Sequence, residues 1–157
     1  LKTVYVRVDV RNAVDWLTKN PTDDNFQKVT KQVNAIKNAV PESYKIGEDG
    51  IMTAFVPVNL KAGSTAMDAL KTACETLKLS TKGSSTYVSG IGANNTYLSE
   101  FSTTNMSGWM YLDKTSPSDT FTAANYGAAS YNLVGGEYFA WIFVNGWDST
   151  QLDYLNQ

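Results

Sequence analysis

At 157 residues, with 43% hydrophobic and 12% aromatic side chains, the chain is large and apolar enough to bury one core, which excludes intrinsic disorder. Its 13 basic and 15 acidic residues give a net charge of -2 and no basic footprint for nucleic acid. No apolar run is long enough for a membrane span, and the 13 Ser, 17 Thr and 13 Asn stand where charges are sparse, as on many extracellular surfaces.

Residues 2–10, KTVYVRVDV, alternate strictly. Val4, Val6, Val8 and Val10 point one way and Tyr5, Arg7 and Asp9 the other, which predicts a half-buried strand. Asn12 to Pro21 breaks that period. Phe26, Val29, Val33, Ile36 and Val40 recur at spacings of three and four, predicting a helix from Asp23 to Val40, capped by Thr22 or Asp23 and ended by Pro41. Lys28, Lys31 and Lys37 lie off the stripe, on a solvated face. Gly47-Glu48-Asp49-Gly50 is turn chemistry, leading to a strand over Ile51–Leu60 in which Pro57 requires an edge position or a bulge.

Thr65-x-x-Asp68 is a capping arrangement, and Ala66, Leu70, Ala73 and Leu77 form the buried stripe of a helix over Thr65–Leu79, with Cys74 beside it as a small core residue. Beyond Ser80 the pattern predicts strands at Thr86–Ile91, Gly108–Leu112, Asn132–Val134 and Glu137–Val144. The last is apolar almost throughout, as for a strand covered on both faces. Long polar loops, 92–107 and 113–129, separate them. The tail beyond Trp147 is expected to be peripheral. Trp147 itself, beside Asn145-Gly146, is either an exposed recognition aromatic or a lid on the sheet end. The whole chain, 1–157, is expected to be one α+β domain.

Chemistry is mostly excluded. The sequence has no His, which removes Ser-His-Asp and Cys-His catalysis and His-ligated metals. Its one cysteine, Cys74, has no partner for an internal disulfide. Ser-x-x-Lys and phosphate-loop motifs are absent, and no local spacing nominates a carboxylate pair, so an enzyme is not expected. A calcium site would have to draw on Glu48, Asp49 or the Asp113–Asp119 loop, where no EF-hand spacing occurs. Asn94 and Asn105 lie in N-x-[ST] sequons. The chain opens at Leu1 without Met or a leader-like segment, which is expected of a protein whose leader or upstream domain has been removed on export.

Three co-linear stretches, Gly63-Ser64-Thr65-Ala66-Met67-Asp68-Ala69-Leu70, Tyr87-Val88-Ser89-Gly90-Ile91 and Gly108-Trp109-Met110-Tyr111, resemble the C-terminal domain of the transcobalamin and intrinsic-factor carriers and the related bacterial extracellular domains. The resemblance implies a β-grasp-like mixed sheet packed on the Thr65–Leu79 helix, with 11–48 as a helical insertion between the first two strands. It also suggests cobalamin as a possible ligand, although the helical barrel that completes the carriers' cradle has no counterpart in these residues. Without His the chain cannot offer cobalt an imidazole, and no resident cofactor is otherwise expected. Candidate contacts are Ser89, Gly90, Ile91, Gly92, Trp109 and Tyr111, together with the 125–130 loop. Glycines admit close backbone approach and aromatics offer contact area, yet aromatics at period two, as Trp109 and Tyr111 are, more often belong to a core, and Ser89-Gly90 reads more readily as a plain turn. The reading expected first is a non-enzymatic display or adhesion module, extracellular, secreted or anchored to the cell surface through segments outside this chain. Its partners would be the neighbouring domains of a larger surface protein. The alternative is a corrinoid-type small-molecule binding module.

Overall fold

The computed structural model describes residues 1–47 and 51–156. It is an α+β structure with three α-helices and two sheets among those residues. In chain order the elements are β1 (Lys2–Asp9), α1 (Arg11–Lys19), α2 (Phe26–Ala39), β2 (Lys45–Ile46), β3 (Met52–Thr53), β4 (Val56–Leu60), α3 (Ala66–Leu77), β5 (Ser80–Gly83), β6 (Val88–Ala93), β7 (Thr96–Ser99), β8 (Gly108–Lys114), β9 (Thr122–Ala123) and β10 (Tyr138–Val144). The main sheet has the order β2-β3-β1-β10-β8-β9, with β4 also paired to β1. β1 and β10 run parallel, from Tyr5 opposite Tyr138 to Asp9 opposite Ile142, and the other pairs are antiparallel. β5, β6 and β7 form a separate antiparallel sheet.

Burial explains this order. Val4, Val6 and Val8 of β1 are fully buried, and β10 is buried from Phe139 to Val144. Phe139, Trp141 and Phe143 join the core cluster that holds the apolar face of α3, while Ala140, Ile142 and Val144 join a second cluster with Leu112 and Phe121. In α3 the Thr65 hydroxyl accepts the Asp68 N–H at 3.3 Å, and the Asp68 carboxylate accepts the Thr65 N–H at 2.9 Å. That capping box starts the helix where the sequence predicts. Ala66, Leu70, Ala73, Cys74 and Leu77 are all buried. The helix stops two residues before Leu79 because Lys78 turns left-handed, with φ of 61°.

Residues 51–60 form two strands rather than one. Asp9 faces Met52 and Val6 faces Val56, so Arg7 and Val8 oppose three residues, Thr53, Ala54 and Phe55: a bulge. Pro57 pairs with Tyr5, whose N–H donates to Glu137 O on the far side at 2.9 Å. Pro57 nitrogen therefore faces the open edge, where no ladder bond is lost. The turn expected at Gly47–Gly50 lies, apart from Gly47, outside the described residues, as does the end of the 11–48 insertion.

Several expectations are corrected. The segment 12–21 contains α1, whose inward face carries Asn12 with Ala13 and Trp16. Asn12 Nδ2 donates to Phe143 O at 3.0 Å and Gln151 O at 3.1 Å, so a polar residue occupies a position where an apolar one would have revealed the helix. α2 begins at Phe26 rather than Asp23. The Asp23 carboxylate accepts the Asn25 N–H at 2.8 Å in the preceding turn and does not cap the helix. Asn132–Val134 is no strand, and Asn132 makes only an isolated bridge to Thr65.

The tail is not peripheral, and it covers the outward face of β1, where Tyr5 and Arg7 are half-buried as expected of that strand but Asp9 is fully buried. Two 3-10 turns, Ser149–Gln151 and Asp153–Asn156, bring Leu152 and Leu155 onto the second apolar cluster. Asn156 accepts the Phe121 N–H at 2.6 Å and returns an amide N–H to Phe121 O at 3.0 Å. The Tyr154 hydroxyl donates to Asp9 at 2.6 Å. Arg7 and Arg11 lie over the rings of Phe55 and Tyr154 at 4.0 and 4.5 Å.

Two expectations follow for stability. Leu70→Ala should lower the unfolding free energy by about 2–5 kcal/mol, the transfer and cavity cost of a buried leucine. A loss near zero in urea denaturation would contradict the packing of α3. Burial pushes the Asp9 carboxyl above its ordinary range, outweighing the opposing bonds from Tyr154 and Arg11 and the charges of Arg7 and Arg11. The folded chain thus holds a proton that the unfolded chain has released, and Asp9 subtracts stability as pH rises from about 4 through its raised value. Denaturation of the wild type and Asp9→Asn across that interval should show the difference moving in the variant's favour with rising pH; a constant difference refutes it.

Candidate functional site

The six residues nominated from sequence do not form an exposed surface. Gly90, Ile91 and Gly92 are buried in β6, the middle strand of the smaller sheet, and Ser89 is half-buried. The glycines serve strand packing. A Cβ on Gly92 would stand 2.0 Å from the Thr96 carbonyl oxygen, and one on Gly90 would stand 3.1 Å from Ser99 Oγ. The β6–β7 hairpin turns through Asn94 and Asn95, both with positive φ (53° and 63°), as a two-residue primed turn requires.

Trp109 and Tyr111 are 8% and 9% exposed. Trp109 donates from Nε1 to Leu98 O at 2.7 Å and meets the Phe143 ring edge-on at 5.6 Å. Tyr111 stacks on Trp141 at 5.0 Å, and its hydroxyl donates to the carbonyl of Tyr126. Burial pushes the Tyr111 phenol up to about 12, so it remains a donor. Both aromatics belong to the core, which is the other reading that their spacing allowed.

Beside them lies a cavity of about 220 Å³ whose lining includes Tyr87, Phe101, Met106, Gly108, Trp109 and Trp147. Trp109 is a buried member of that lining. Four large side chains of that lining are exposed: Trp147 at 75%, Phe101 at 60%, and Met106 and Tyr87 at about half. The loop carrying Phe101 and Met106 is held firmly. Thr103 Oγ1 donates to Asn145 Oδ1 at 2.7 Å, Thr104 Oγ1 donates to Asn145 O, and Ser107 Oγ donates to Thr104 O at 2.8 Å. Ser102, Thr103 and Ser107 are buried while Phe101 and Met106 are exposed. Phe101 has φ of +65°, an uncommon conformation for a bulky residue and a local strain at the cavity rim. The Tyr87 hydroxyl donates to Glu100, which raises the phenol's pKa, burial adding a smaller push.

Of this cluster the sequence singled out Trp147, which proves exposed. Phe101 and Met106 were missed, although two isolated large apolar residues inside the Ser/Thr/Asn-rich 92–107 stretch were a visible signal.

A second concavity, about 710 Å³, opens where the 125–134 segment meets Asp113 and β9. This is the 125–130 loop region nominated from sequence. A shallow depression along α2 is lined by that helix's outward side chains with Thr96. Among the described residues no group of three or more Cys, Asp or Glu side chains is placed to hold a metal ion. The Asp119 carboxylate accepts the Thr115 hydroxyl at 3.0 Å and Asp113 accepts that of Tyr131 at 2.7 Å, while Glu48 and Asp49 lie outside the described residues. Cys74 is buried, and burial pushes its thiol up to about 12, far from a nucleophilic thiolate. No protein-family model, curated protein or solved structure matches the chain.

The glycine contacts give a sharp expectation. Gly92→Ala should destabilise the fold by about 1–3 kcal/mol, because the new methyl meets backbone. Gly90→Ala should cost less, since its new methyl would meet Ser99 Oγ and Tyr97 Cβ at 3.1 and 3.2 Å rather than backbone at 2.0 Å. Equal and negligible losses in thermal denaturation would mean that these glycines are not packing residues.

Proposed function

We propose that the chain is a non-enzymatic display or adhesion module of a secreted or cell-surface protein, recognising its partner through the end formed by Tyr87, Phe101, Met106 and Trp147. The carrying observation is that these four exposed apolar side chains gather around one cavity instead of being scattered. Aromatic and Met side chains on a rigid loop supply contact area at small entropic cost, the composition of binding hot spots. The low charge and abundant Ser, Thr and Asn are in keeping with an extracellular setting. The buried Cys74 and the lack of His favour binding over catalysis.

The same reading takes the fold as β-grasp-like and related to the transcobalamin C-terminal domain. It is supported by the parallel central pair β1–β10, by α3 packed on the main sheet, and by α1 and α2 inserted between β1 and β3. A corrinoid ligand, the alternative, is weakened because Ser89–Gly92, Trp109 and Tyr111 offer it no open platform.

Beads coated with the wild-type domain should be retained several-fold better than beads carrying Phe101→Ser/Trp147→Ser on at least one of mucin-, collagen- or cell-coated surfaces. Equal retention on all three removes the adhesive reading. A visible-absorbance titration with cobalamin should show no saturable change; a saturable one abolished by the double variant would reverse the order of the two readings.

A further inference from the structure

The concavity beside Asp113 shares no lining residue with the aromatic end, and its chemistry differs. Its wall carries a carboxylate (Asp113), two amides (Asn125 and Asn132), two aliphatic hydroxyls (Thr122 and Ser130) and the rings of Tyr126 and Tyr131. Asp113 accepts the Tyr131 hydroxyl through Oδ2 at 2.7 Å, leaving Oδ1 without a hydrogen bond among the described residues. The side chains of Asn125, Asn132, Thr122, Ser130 and Tyr126 likewise make no hydrogen bond there. Side chains that donate and side chains that accept therefore line one space, together with the exposed ring of Tyr126. Tyr126 and Tyr131 meet at 87° with centroids 6.3 Å apart, so the two rings form a corner.

We propose that this cleft is a binding site for a neutral saccharide. Vicinal hydroxyls each donate and accept, which the carboxylate and amides answer in pairs, and the C–H face of a sugar ring lies flat on an aromatic face. No Lys or Arg lines the cleft, which disfavours sulfated or uronic sugars, and Asp113 would repel them. The volume of about 710 Å³ falls in the range of small-ligand sites.

The walls are fixed before any ligand arrives. The Tyr111 hydroxyl holds the Tyr126 carbonyl, and the Tyr131 carbonyl accepts the Ala66 N–H at the start of α3 at 2.9 Å. The buried Glu137 carboxylate accepts the N–H groups of Val134 at 2.8 Å and Gly135 at 2.5 Å, pinning the turn at the cleft's far side. Burial and the Asp113 hydrogen bond both raise the Tyr131 phenol, which stays protonated and keeps Asp113 oriented. Such preorganisation removes part of the ordering cost of binding.

Heteronuclear NMR titration of the whole chain with glucose, galactose, mannose, N-acetylglucosamine, lactose and cellobiose tests the site. At least one sugar should give saturable shifts in the millimolar range, confined to Asp113 and residues 122–134. Asp113→Asn and Tyr126→Ala should each weaken that binding by about tenfold, the loss of one charge-assisted bond or one stacked face. Trp147→Ser should leave it unchanged. Tyr126→Ala should preserve the fold because the ring is largely exposed and the bond to Tyr111 uses the main-chain carbonyl, so the test survives even if Asp113→Asn unfolds. Absence of saturable shifts with every sugar, or shifts indifferent to both cleft substitutions, overturns the proposal.

Discussion

The parallel pairing of β1 with β10 is the constraint to which the rest of the structure answers. Neighbouring parallel strands cannot be closed by a short turn, and both faces of such a pair require cover. On one face Val4, Val6, Val8, Phe139, Trp141 and Phe143 are buried in the cluster that includes α3. On the other, Ala140 and Ile142 need Phe121, Leu152 and Leu155, so the 3-10 turns after β10 become part of the core. That cover also buries Asp9 and much of Arg7. Each must then find partners: a tyrosine hydroxyl and a backbone N–H for Asp9, the Thr53 carbonyl and the Phe55 ring for Arg7.

The elements legible in the sequence are those whose face is uniformly apolar. The stripes Val29-Val33-Ile36 and Ala66-Leu70-Ala73-Leu77, and the unbroken β10, identify themselves by period alone. α1 escaped because Asn12 sits inward, satisfied by Phe143 O and Gln151 O, carbonyls more than a hundred residues away in the chain. The tail after β10 escaped for a similar reason: Tyr154, Gln151 and Asn156 dock through polar atoms, so its sequence reads as solvent-facing. For the site, spacing placed Trp109 and Tyr111 on one face of a strand but could not say whether that face met water. Nor could the one-dimensional order reveal that Tyr87, Phe101, Met106 and Trp147, drawn from three loop regions, converge.

The two nominated aromatics support the two concavities from within the core. Trp109 floors the aromatic cavity while holding the Leu98 carbonyl, and Tyr111 anchors the Tyr126 carbonyl at the polar cleft. Each concavity thus rests on a ring locked in the core, and the side chains that would meet a ligand come from loops beyond it.

The direction of β1 relative to β10 also sets how the molecule bears tension. Because the two strands are parallel, the N-terminal end of β1 and the C-terminal end of β10 lie at opposite ends of their shared ladder, which spans Tyr5–Asp9 and Tyr138–Ile142. A pull applied between those ends runs along the strands and loads the ladder's hydrogen bonds together in shear, rather than opening them one at a time like a zipper. A pull applied beyond β10 would instead reach the tail first, which side-chain bonds hold to Asp9 and Phe121. Mechanical yielding would then begin with wetting of the Asp9 carboxylate while the sheet remains intact.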